Sequence, residues 1–152
     1  MAAAVVKLSM LAAAPLRLLA FDADDLAVIS THLQDSEILA AEMAYLPRQR
    51  RFALIADRFD WCAAQKGEAR RCRTGLHFEG VTGVRRSHFE QDAAAPVVLL
   101  SITFLARETP AGEVLLHFEG GGAIRLDVEC LEAAMADLGP VHACRDMPAA
   151  RV

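Results

Sequence analysis

Residues 97–127 read VVLLSITFLARETPAGEVLLHFEGGGAIRLD, and they decide the fold class. In Val97–Ala106, Leu100, Ile102 and Phe104 fall on one face, and Ser101 and Thr103 on the other. Thr109–Gly112 then forms a turn. Glu113–Phe118 and Ala123–Asp127 flank Glu119–Gly122, a glycine-rich hairpin. Strands joined by turns this short must run antiparallel to their neighbours.

Working outward, the same pattern recurs upstream. Ile38–Leu46 and Arg51–Phe59 are apolar-rich runs joined by Pro47-Arg48-Gln49-Arg50, a turn with proline at its first position. Cys62–Arg71 is polar and reads as a loop. Leu76–Glu79 reads as a strand, Gly80–Gly83 as a glycine turn, and Val84 as the start of a return strand. Leu16–Phe21 is a short apolar strand, followed by a helix. Asp22 caps that helix, Asp24 and Asp25 suit its positive end, and Leu26, Ile29 and Leu33 form one stripe. Val128, Leu131, Met135 and Leu138, ended by Gly139-Pro140, predict a second helix. The expected fold is α+β: a curved, mostly antiparallel sheet of six to eight strands with an N-terminal and a C-terminal helix. Its coarse element order resembles the pleckstrin-homology superfold, a partial barrel. The expected organisation is an extension at 1–14, one domain at 15–144 and a frayed tail at 145–152.

Composition narrows the function classes. The chain has 152 residues, a formal charge of -4, 24% charged residues and many Val, Ile and Leu, which together exclude a disordered chain. No apolar run reaches the ~18 residues of a membrane helix. Cys62, Cys72, Cys130 and Cys144 are scattered and form no CxxC pair, so they read as reduced, mostly buried thiols of a cytoplasmic protein. Charge is unevenly placed. Residues 47–86 carry +6, while the remainder carries -10. Leu76-His77-Phe78-Glu79-Gly80 recurs at Leu116-His117-Phe118-Glu119-Gly120, suggesting two related hairpins.

Four segments carry a family likeness: Leu16–Leu26, Ala44–Pro47, Arg51–Trp61 with its Arg58-Phe59-Asp60-Trp61, and Gly121–Cys130 with Gly-Gly-Ala-Ile-Arg-Leu-Asp-Val-Glu-Cys. Over roughly residues 15–145 the chain resembles a family of small alphaproteobacterial proteins of unknown function. Asp57 stands where that family has asparagine. The resemblance implies a soluble, cytoplasmic bacterial protein. It implies no reaction and no catalytic residues.

Two constellations could carry chemistry. Arg48, Arg50, Arg51, Arg71, Arg73, Arg85 and Arg86 lie in or beside turns. Gathered at one end of the sheet, they would form a concave site for an anionic small molecule or an acidic protein. The 6% aromatic content argues against nucleic acid, and Trp61 reads as a packing residue, with Arg58 and Asp60 as a surface pair. The alternative is a metal-binding protein or small metal-dependent enzyme. His77 and Glu79 share a strand face, as do His117 and Glu119, and adjacent hairpins would converge all four. No cofactor is implied: Gly120–Gly122 precedes a strand, not the helix a phosphate loop needs. A third reading is a homodimer in which an edge strand such as Ile38–Leu46 pairs across a two-fold.

Overall fold

Phe52, Leu54 and Ala56 alternate with Ala53, Ile55 and Asp57, and such alternation buries one face of a strand. The computed structural model describes residues 15–89, 95–139 and 142–143. It forms β1 (Arg17–Ala20), α1 (Ala23–Leu33), β2 (Glu37–Leu46), β3 (Arg51–Phe59), α2 (Trp61–Ala64), β4 (Arg70–Phe78) and β5 (Val81–Ser87). These are followed by β6 (Pro96–Ala106), β7 (Gly112–Phe118), β8 (Ala123–Val128), β9 (Ala133–Asp137) and β10 (His142–Ala143). The expected extension at 1–14, the tail at 145–152 and Cys144 lie outside the described residues.

The strands form one open sheet in the order β1-β9-β4-β3-β2-β6-β7-β8-β5, with β10 beside β4. Every pairing is antiparallel. The sheet has two halves, joined where Glu37–Leu39 of β2 pairs with Pro96–Val98 of β6. The chain crosses between the halves at β4–β5 and again at β8–β9. Backbone bonds tie the crossings together, from Glu79 N to Glu132 O (2.9 Å) and from Glu129 N to Gly80 O (2.9 Å).

The halves bury their inner faces against each other. Phe52, Leu54, Leu76, Phe78 and Met135 come from one half, and Ile102, Val114, Leu116, Ile124 and Leu126 from the other. Each such side chain contributes about 1.5–3 kcal/mol on leaving water. Helix α1 packs against β1, β3 and β6 and adds Leu26, Ile29 and Leu33 to the core. Gly112 lets the sheet close tightly here: a Cβ on it would stand 2.5 Å from the Phe104 ring. Among the described residues no helix is long and apolar enough to cross a membrane.

The expected antiparallel sheet and the N-terminal helix are present. The C-terminal helix is not. Residues 133–137 form β9, where Ala133 and Met135 are buried and β1 and β4 pair on either side. Leu131 and Met135 are four apart, a spacing that serves a strand face as well as a helix stripe, and tertiary pairing overrides the helix propensity of the alanines. The sheet is also larger than expected, with ten strands among the described residues. The expected 62–71 loop begins with α2, whose first amides are capped by Asp60, and ends in β4. In β6 a register shift between Leu99 and Ser101 turns Leu99 inward beside Ile102.

Three further expectations change. β2 lies between β3 and β6 only at Glu37–Leu39; from Met43 to Leu46 it pairs with β3 alone among the described residues. Cys72 is buried, but Cys62 and Cys130 are exposed, because they sit on α2 and a connection rather than on an inward strand position. The repeated pentapeptides share local structure, with buried leucine and phenylalanine and glycines at φ 67° and 89°. Yet only the second copy makes a hairpin. The first crosses to the other half, where β5 pairs with β8.

Candidate anion-binding face

The seven arginines singled out in the sequence do not converge. Arg48 is exposed in the β2–β3 turn. Arg50 pairs with Glu129, and Arg51 Nε donates to Glu79 Oε1 at 2.7 Å. Arg73 lies opposite Asp57, six residues along β3 from Arg51, or roughly 20 Å away. Arg73 donates to Glu42 Oε2 at 2.7 Å. Arg71 donates to the Asp57 carbonyl at 3.0 Å and covers the Phe59 ring. Both line the strand end beside a groove of about 410 Å³ whose walls include Glu37, Glu42, Asp57 and Arg73. That groove opens where β2 shifts register between Ile38 and Met43.

The His-x-Glu pairs are also apart. His77 is on β4 and His117 on β7, in different half-sheets; Leu76 and Phe78 beside the one and Leu116 and Phe118 beside the other face the shared core, so the two histidines lie on opposite outer faces. Glu79 Oε1 lies 3.0 Å from His77 Nδ1, but not in hydrogen-bond geometry, and it is already taken by Arg51. Among the described residues no three His, Cys, Asp or Glu side chains form a metal-binding group.

Arg85 joins a group the sequence did not reveal. Arg85 on β5 stands directly opposite Arg125 on β8. Like charges so placed repel. Both side chains turn to Glu113 on β7. Arg125 Nη1 donates to Glu113 Oε1 at 2.8 Å, and Arg85 Nη2 reaches Glu113 Oε2 at 3.5 Å and Asp127 Oδ1 at 3.3 Å. Arg107, just past β6, donates to Glu113 Oε2 at 3.2 Å. The hydrogen bond from Arg125 holds the Glu113 carboxyl below its ordinary range against partial burial, helped by the three positive charges. The Glu113 side chain is 11% exposed, whereas Arg85, Arg107 and Arg125 are 61%, 58% and 46% exposed. One shielded carboxylate thus anchors three open guanidiniums, each with further N–H donors. The signal was hidden because these residues come from four segments spread over positions 85–125.

A second cluster is structural. Arg58, expected at the surface with Asp60, is instead buried against Asp137 through two 2.8 Å bonds. Asp137 also accepts from Thr74 Oγ1 and Leu16 N, each at 2.8 Å. Burial pushes the Asp137 carboxyl up, but these donors outweigh it and leave it below its ordinary range. Asp60 caps α2 through a 3.0 Å bond from Ala63 N. Burial, then the neighbouring Arg58 charge, lowers His32. Trp61 Nε1 donates to the Gln34 carbonyl at 3.2 Å, and its ring meets Phe59 edge-on, so it packs as expected.

Neither a curated protein nor a solved structure matches the chain. A family model matches residues 16–150, which is most of the sequence. The chain therefore belongs to the family described as "Protein of unknown function (DUF2948)".

Proposed function

We propose that this protein is a non-enzymatic binding module of the bacterial cytoplasm that takes an anionic partner on the outer face of β5, β8 and β7. Arg85, Arg107 and Arg125 supply the contacts, and Glu113 holds them in place. The observation that carries this reading is their convergence on one shielded carboxylate while each guanidinium stays half open to water. Such a face has donors to spare for a carboxylate or phosphate. It acts at short range, because the whole chain is at -4 and salt screens beyond about 8–10 Å.

The test uses labelled poly-L-glutamate, followed by fluorescence anisotropy in low salt. The Arg85→Gln/Arg107→Gln protein, which removes the charges without setting new carboxylates against Glu113, should bind at least about ten-fold more weakly than the parent while still unfolding cooperatively in urea. Arg125, which makes the shortest bond to Glu113, is left in place so that the fold is not disturbed. Equal binding by both proteins overturns the proposal, as does no binding by either.

A further inference from the structure

We infer that the anionic partner is an extended acidic peptide that docks on β5 as an added strand. This rests on the anion-binding reading above and specifies its partner. β5 ends the strand path and pairs with β8 on one side; among the described residues no strand pairs its other side. An edge strand presents alternate N–H and C=O groups outward, which a second extended chain can pair with. The register shift between Val81 and Gly83 leaves Val84–Ser87 as the regular stretch, each residue in continuous register with β8.

Charge selects the occupant. Arg85 points to the outer face beside Arg125 and Glu113. Arg86, its neighbour in sequence, points to the opposite face, where its guanidinium covers the Phe89 ring at 5.6 Å. Both are exposed. Two copies of this chain meeting edge to edge at β5 would set arginine pairs against each other, a repulsive arrangement. An acidic strand reverses the sign. Because Arg85 and Arg86 face opposite ways, the best partner carries acidic residues at two successive positions, one for each face. Arg85 can re-pair at little cost, since its present bonds of 3.3 and 3.5 Å are long.

The experiment compares labelled peptides on the full chain. The parent is an eight-residue peptide of valine and threonine with a central Glu-Glu pair. Two derivatives are N-methylated at either the odd or the even positions, which blocks one strand edge at a time and leaves the charge alone. We expect one derivative to lose at least about ten-fold in affinity and the other to match the parent. The Arg86→Glu protein should also bind the parent at least about ten-fold more weakly. If both derivatives bind like the parent, or both lose equally, strand addition is overturned and the anionic face stands. If poly-L-glutamate binds and the parent peptide does not, this inference fails alone. If neither binds, the anion-binding reading fails and this falls with it.

Discussion

Asp137 concentrates more interactions than any sequence feature announced. Its carboxylate takes a fork of two bonds from Arg58 and one each from Thr74 and the Leu16 amide, and its side chain is 4% exposed. Asp137→Asn keeps the shape but leaves the Arg58 charge buried without its partner. We expect a loss of about 3–5 kcal/mol, read as a lower urea midpoint. The same group sets an acid limit. Its folded pKa lies below the unfolded value of about 3.9, so its stabilisation is full above that value and fades as pH falls through the folded one. Parent and variant should therefore converge in stability as the medium is acidified below about pH 4. None of this was legible in sequence, because 79 residues separate Arg58 from Asp137. Local spacing suggested Asp60 for Arg58. It had no means of weighing a partner on a strand that had been read as helix.

Among the elements, α1 was the most legible, and its chemistry is local. Asp22 Oδ1 accepts from Asp25 N at 2.8 Å, and Asp25 Oδ2 accepts from Phe21 N at 3.0 Å, so the two carboxylates close the helix start reciprocally. Leu26, Ile29 and Leu33 are buried at the spacing that predicted them. Asp22→Ala should cost about 1 kcal/mol, measured by chemical denaturation, with the helix still present in the folded protein. The β2–β3 and β7–β8 hairpins were legible for the same reason: turn residues and alternation lie within a few positions of each other. β9 was not. Its sequence, Ala133-Ala134-Met135-Ala136-Asp137, favours helix by intrinsic propensity, and only pairing with β1 and β4 makes it a strand. The Leu76–Gly80 repeat failed in a related way. A strand ending in a left-handed glycine looks the same whether the chain then turns back or crosses to another half-sheet.

For the molecule as a whole, the order of strands in space departs from their order in the chain at both crossings. That departure scatters the predicted arginines and assembles an unpredicted group around Glu113. It also sets when the molecule can be completed. Among the described residues β1 pairs only with β9, and the Leu16 amide donates to a residue 121 positions later. A chain still attached to the ribosome has made β1 long before β9 exists. At roughly 5–20 residues per second, the first strand waits about 6–24 s for its partner. Arrested nascent chains ending before Ala133 should remain open to protease, and chains extended well past Asp137 should become resistant in one step. Until β9 is made, the first half-sheet lacks the strand that joins β1 to β4. The backbone edge of β4 from Thr74 to Phe78 is therefore the surface a chaperone would meet before the protein itself could pair it.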